Sequence, residues 1–238
     1  MGITEIVSWA PTFNEISEKA LQSLASNARL RTLKRGEYLW HCGDSPEHLT
    51  IIRSGLVKVV KHASAGRSSI CGLFGAPDTV GDAAVVRGIP YPADALVITE
   101  NASFVEIGRN EFLMAIEHEP KLALSCARAV QSKITALHAK IDVLAAGNVD
   151  ARLAQLLVTL YDRFGDELDD ESQLIPVVLS RRELSQLIST SLETVIRIMT
   201  RWEREGLVAT TPLGFIIKRR SELNRLIAKN PTTRVPED

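Results

Sequence analysis

Glu193 and Arg197 stand one helical turn apart in the stretch Leu192-Glu-Thr-Val-Ile-Arg-Ile-Met-Thr-Arg-Trp-Glu-Arg204. A guanidinium fork matches O6 and N7 of guanine, and a carboxylate accepts from N4 of cytosine. On a helix laid in a major groove, this pair can read both halves of one G·C base pair. On an ordinary solvated helix the same pair would be an i,i+4 salt bridge, so the surroundings decide. Leu192, Val195, Met199 and Trp202 repeat at three and four, which predicts the buried face. Glu193, Ile196, Arg197, Thr200, Arg201 and Arg204 then point away from it. Ile196 can offer only an apolar surface, suited to a thymine methyl group. Catalytic chemistry finds no comparable footing. There is no nucleophile elbow, P-loop, metal-ligand spacing or pair of catalytic acids, so no enzyme is expected. Cys42, Cys71 and Cys126 are odd in number and scattered, which argues against a disulfide framework and against a zinc or iron–sulfur site.

The elements around the pair predict how it is held. Ser180-Arg-Arg-Glu183 is a capping box opening a helix over 181–188. A turn at Ser189-Thr190 leads to Ser191, an N-cap for a second helix running to Glu205, and Gly206 sits where a left-handed C-terminal cap belongs. Two helices joined by so short a turn, the second rich in arginine, are a helix-turn-helix signature. Leu207-Val208, a Thr-Thr-Pro-Leu-Gly turn and Phe215–Ile217 form a hairpin wing, and Ser221 caps a last helix. Upstream, residues 150–164 are an amphipathic helix ended by Gly165 and the acidic run 166–171, and 177–179 reads as a short strand. Residues 179–230 carry ten Lys/Arg against five Asp/Glu, a net +5, while residues 1–178 are −5. A basic end on an acidic body predicts an anionic partner met there.

Residues 121–144 are the element around which the chain is organised. Ala123, Ala127, Val130, Ile134, Leu137, Ile141 and Leu144 alternate spacings of four and three, the seam of a coiled coil, with Pro120 able to open the helix and Gly147 to close it. Before it, residues 12–30 read as a short helix. From Arg31 to Ile107 short β-rich runs follow: 49–61 broken at Ser54-Gly55, then 69–74, 95–98 and 103–107, with turns such as Cys42-Gly43-Asp44 and Ala65-Gly66-Arg67. Strands at this spacing mean a β-roll or barrel. At 238 residues the chain fits two domains. No apolar run spans a bilayer and no signal peptide opens the chain, so a cytoplasmic protein without membrane partners is expected.

Lys34-Arg-Gly-Glu-Tyr-Leu-Trp-His-Cys-Gly-Asp44, Leu49–Lys58 and Gly81-Asp82 resemble a cyclic-nucleotide-binding β-roll. With the seam and the helix-turn-helix, residues 12–228 resemble the CRP/FNR family of transcription regulators. The resemblance implies an α+β chain: an effector-sensing β-roll over 1–120, a dimerisation helix over 121–147 and a winged helix-turn-helix over 148–238. It implies a homodimer on a palindromic double-stranded site, working with RNA polymerase and an unknown small effector. The family carries Glu and Arg at the positions of Glu193 and Arg197, and grips phosphate at those of Arg181, Ser191 and Thr194. Leu192 stands where the cyclic AMP receptor branch has a base-reading Arg and the other branch an apolar residue; Ile196 stands where that other branch usually has Ser. In the sensor, cyclic AMP needs Gly-Glu for the ribose and Arg-Ser for the phosphate. Here the pairs are Gly81-Asp82 and Pro92-Ala93, and the adenine-contacting threonine aligns with Leu137. An unpaired phosphate charge would be costly to bury, so this is not expected to be the cyclic-AMP-binding branch. The N-terminal cysteine cluster of the iron–sulfur branch is missing, and the haem-ligating His of the carbon-monoxide sensor aligns near Arg87. Haem by another route stays open through His138 beside the seam or through His41, His48 and His62, and Arg87 is a candidate anion anchor. An effector-binding module without specific DNA binding, or a haem-based gas or redox sensor, are the alternatives.

Overall fold

The computed structural model describes residues 2–62, 68–145, 147–168 and 172–228. The predicted turn at 65–67 and the part of the acidic run at 169–171 lie outside them. The chain divides into two compact units, 1–134 and 135–238, with the division falling inside the long central helix.

The first unit opens with α1 (Ile3–Trp9) and α2 (Glu18–Ser26), followed by β1 (Arg29–Lys34), β2 (Tyr38–Trp40), β3 (His48–Ser54), β4 (Leu56–His62), β5 (Ser68–Gly75) and β6 (Thr79–Val80). Helix α3 (Asp82–Arg87), β7 (Asp94–Val97), β8 (Asn101–Gly108), α4 (Arg109–His118) and the start of α5 (Pro120–Ala145) complete it. Two antiparallel four-stranded sheets result, ordered β1-β8-β3-β6 and β2-β7-β4-β5. The break predicted at Ser54-Gly55 separates β3 from β4, with Gly55 at φ +82°. Trp40, Ile52, Val57, Val97 and Phe104 fill the space between the sheets. Leu49, Ile51, Val105 and Ile107 face the other way, onto Ile6, Val7, Phe13, Phe112 and Leu122. Strands β3 and β8 therefore carry buried apolar residues on both faces, which explains the adjacent apolar pairs Ile51-Ile52 and Phe104-Val105. Buried Glu106 of β8 takes Arg29 at 2.8 Å and Arg31 at 3.0 Å, tying β1 into its edge position with the buried charge doubly paired.

Two expectations fail here. Residues 29–30 belong to strand β1, not to the end of a helix, and the helix expected over 12–30 is only Glu18–Ser26, capped by Ser17. Helix α1 is not among the expected elements; its Ile6 and Val7 are fully buried in the helical side of the core.

The second unit contains the rest of α5, α6 (Val149–Phe164), β9 (Asp166–Glu167), β10 (Gln173–Ile175), α7 (Arg181–Leu187), α8 (Leu192–Arg204), β11 (Val208–Thr211), β12 (Gly214–Ile217) and α9 (Arg220–Ala228). The strands form one sheet, β11-β12-β10-β9. The strand expected at 177–179 is displaced to 173–175, because Ile175 pairs with Phe215 and Gln173 with Ile217. Ser221 lies inside α9, which begins at Arg220, so it is not the cap. Among the described residues no helix is long and apolar enough to cross a membrane.

Candidate nucleic-acid interface and effector region

Local chemistry builds the two helices of the interface as expected. Ser180 accepts from the Glu183 amide, and the Glu183 carboxylate accepts from the Ser180 amide at 2.8 Å, closing the capping box. Between the helices Ser189 takes φ +51°, a left-handed conformation unusual for a residue with a side chain. Ser191 then caps α8 by accepting from the Thr194 amide at 3.2 Å, and its hydroxyl lies 3.0 Å from that of Thr194. At the far end Gly206 adopts φ +68°, the expected left-handed cap.

Helix α8 buries Val195, Ile198, Met199 and Trp202. Ile198 lies outside the expected face, and Leu192 is only half-buried, so the buried stripe is rotated from the expected one. On the opposite side Glu193, Ile196, Arg197, Thr200 and Arg204 are exposed. Glu193 and Arg197 form no ion pair with each other among the described residues, so the ordinary salt-bridge reading does not hold for this pair. Arg197 has no hydrogen-bond or ion-pair partner there. Glu193 is held below the usual carboxylate range by its own backbone amide and then by the Ser191 hydroxyl, which keeps it an acceptor.

Arg181 and Arg201 behave differently. Arg181 donates to Glu203 of α8 at 2.9 Å and to Thr210 of β11 at 2.7 Å, and its guanidinium lies over the Phe215 ring at 5.8 Å. Arg201 is ion-paired to Asp150 in the first turn of α6. Sequence reasoning expects both at the anion-binding surface; both guanidinium groups are engaged within their own domain. Nothing in the residue types signals this, because the partners lie 22 and 51 residues away.

In the first unit, Gly81 sits at φ +77° ahead of α3, and a Cβ there would come within 2.8 Å of Tyr91 and 3.0 Å of Trp40, rings stacked at 4.1 Å. Only glycine fits. Asp82 follows, and its carboxylate takes Lys133 of α5 at 2.5 Å. From the sequence, Lys133 merely flanks the seam in water. Pro92 is exposed, whereas Ala93 is buried with its carbonyl accepting from the Trp40 indole at 2.9 Å. Arg87 is exposed at the end of α3 opposite Asp82. His138 is exposed on α5. Cys126, earlier on the same helix, has its thiol pushed up to about 11, first by burial and then by the Asp82 carboxylate, with Lys133 opposing. Among the described residues no three His, Cys, Asp or Glu side chains form a group that could hold a metal ion.

Helix α5 has two faces. Leu122, Ser125 and Cys126 turn inward against the first unit. Val130, Ile134, Leu137, Ile141 and Leu144, all seam positions, are exposed.

Comparison with known proteins matches residues 30–119 to a cyclic nucleotide-binding domain and residues 151–226 to a Crp-like helix-turn-helix domain. The chain is 24% identical over 221 residues to the CRP-like cAMP-activated global transcriptional regulator of Mycobacterium tuberculosis, covering 93% of this chain and 98% of that protein. It is 29% identical over 181 residues to the transcriptional activator protein Anr of Pseudomonas aeruginosa, covering 76% and 73%. Among solved structures, FixK2 from Bradyrhizobium japonicum superposes with a TM-score of 0.70 at 20% identity, covering 84% of this chain and 96% of that one. A roll and a Crp-like reader, joined in this order by a long helix with an exposed apolar seam, place the chain in the CRP/FNR family of transcription regulators.

Proposed function

We propose that the protein is a homodimeric, sequence-specific regulator that couples effector sensing in the roll to binding of a palindromic promoter site, where it meets RNA polymerase in the cytoplasm. The observation that carries the reading is the outer face of α8. Glu193 is kept ionised, and Ile196 and Arg197 stand exposed, with Arg197 unpaired among the described residues. An unpaired guanidinium on a capped, well-buried helix is preorganised for a guanine edge. Ser191 and Thr194 lie at the start of the same helix, where hydroxyls and backbone amides suit a phosphate. Dimerisation is supported by the five exposed seam residues of α5.

The three parts are an effector-sensing roll over 1–120, the dimer helix over 121–147 and the reader over 148–238. The M. tuberculosis relative is cAMP-activated, but this chain departs from what that ligand needs. Asp82 is spent on Lys133, and Pro92-Ala93 supplies neither charge nor hydroxyl for a phosphate. The effector is therefore not cyclic AMP. Selection of binding sites from random duplex DNA tests the whole reading: twofold-symmetric sites with half-sites about one helical turn (roughly 10 bp) apart support it. Selected sites without symmetry sink it.

A further inference from the structure

Arg181 opens α7, yet its guanidinium lies in a closed network of three elements. It donates to the Glu203 carboxylate on α8 at 2.9 Å and to the Thr210 hydroxyl on β11 at 2.7 Å. The Thr210 hydroxyl in turn donates to the same Glu203 oxygen at 2.5 Å, and the Phe215 ring of β12 supports the guanidinium from 5.8 Å. We infer that Arg181 is a positioning residue that locks the wing hairpin to the recognition helix, rather than a phosphate contact of its own. The inference rests on the DNA-binding reading.

The geometry favours this over a free cationic contact. Only a quarter of the Arg181 side chain is exposed, and its charge is already matched by Glu203. Releasing it to a phosphate would strip Glu203 and Thr210 of their common donor and leave a carboxylate facing the DNA. Arg182, the next residue, is exposed and has no such network among the described residues. Held in place, Arg181 fixes the angle between α8 and β11–β12, and so fixes where Pro212 and Leu213, exposed at the wing tip, can lie when α8 is seated in a groove. A planar fork can bridge two acceptors on different elements; a lysine ammonium satisfies such a bridge poorly.

The two roles predict opposite results for variants that leave Arg181 in place. Binding to a palindromic duplex recovered by selection would be measured across a salt series for wild type, Arg181→Ala, Arg181→Lys, Glu203→Gln, Thr210→Ala and the Arg181→Lys/Thr210→Ala double variant, with thermal melting to show that each is folded. As a positioning residue, Arg181 should need all its partners. Glu203→Gln and Thr210→Ala should each weaken binding by about three- to thirtyfold, Arg181→Lys should do the same, and the double variant should cost little more than either single change. The salt slope should stay that of wild type, because no phosphate contact is lost. As a phosphate contact, Arg181 should behave otherwise. Glu203→Gln should tighten binding by removing a repelling carboxylate, Thr210→Ala should be silent, and Arg181→Ala should lower the salt slope by roughly 0.9 per protomer. That second pattern overturns the inference while leaving the DNA-binding reading intact. Wild-type protein that binds no duplex in the selection overturns both.

Discussion

Replacing Ile134 with a glutamate should separate the protein into folded monomers. In the single chain the five seam residues from Val130 to Leu144 are between 37% exposed at Leu144 and 60% at Ile141, so each keeps about half of its apolar surface in water. Full burial of such a side chain contributes roughly 1.5–3 kcal/mol, and covering the remaining half about 1. Five positions on two chains then give on the order of 10 kcal/mol, set against an association cost of roughly 4–15 kcal/mol. A balance this close is sensitive to one position. Ile134→Glu would remove about 1 kcal/mol per chain. The two new carboxylates, held about 8 Å apart across the twofold at an effective dielectric near 20, would add about 2 more. A loss of about 4 kcal/mol is roughly a thousandfold in Kd. Sedimentation at micromolar protein should show the shift from dimer to monomer, with unchanged helical circular dichroism because Ile134 faces away from the inward stripe of α5. Binding to the full palindrome should fall with it. A variant that stays dimeric at micromolar concentration refutes the seam.

Arg197→Ala should cost about 1–3 kcal/mol per half-site and relax selection at one G·C pair, read by repeating the site selection with the variant; unchanged base preference would show that Arg197 does not face the bases. Calorimetry should find no measurable cyclic AMP binding, and DNA binding should not require it; micromolar affinity would overturn the placing of Pro92-Ala93 where that ligand's phosphate would lie. A Soret band in protein made with added haem would favour the gas- or redox-sensor alternative, and His138→Ala would be the first variant to try. Cys126 is a weak acid raised from 9.0 to about 11, so its folded-state contribution is complete below about pH 9 and is lost as pH rises through about 11. Alkaline unfolding should therefore flatten over that window in Cys126→Ala, and at neutral pH a maleimide should label exposed Cys42 and Cys71 before Cys126.

What the sequence shows well is whatever a few neighbouring residues decide among themselves. Ser180 with Glu183, Ser191 with Thr194, and Gly206 at φ +68° each settle a helix end within three residues, and each lies where the sequence predicts it. The seven seam residues likewise announce α5, because a period of 3.5 needs no partner to be read. Elements that depend on distant partners stay hidden. Arg29-Leu-Arg-Thr-Leu-Lys34 has a polar sequence and half-exposed faces; it is a strand because Arg29 to Lys34 pair with Glu106 to Asn101 of β8. Val177-Val-Leu179 has the stronger β propensity, yet Gln173–Ile175 is the strand, since Ile175 lies opposite Phe215 while the later residues lead into the Ser180 cap. Helix α1 has seven residues and is fixed by burying Ile6 and Val7 against Phe13 and Phe112.

The same division runs through the candidate site. Arginines 181, 197 and 201 are chemically identical, and spacing alone gives all three the same claim on an anion. Their neighbours in space differ: Glu203 and Thr210 for the first, Asp150 for the third, and none among the described residues for Arg197. Asp82 shows the matching effect in the roll, where a carboxylate that the family resemblance offers to a ribose meets a lysine 51 residues further on. A charge committed to a fixed internal partner must exchange that partner before it can bind a ligand, whereas an uncommitted one binds without that cost. Residue type therefore names the groups that could meet DNA or effector, and the distribution of opposite charges around them decides which is ready to do so.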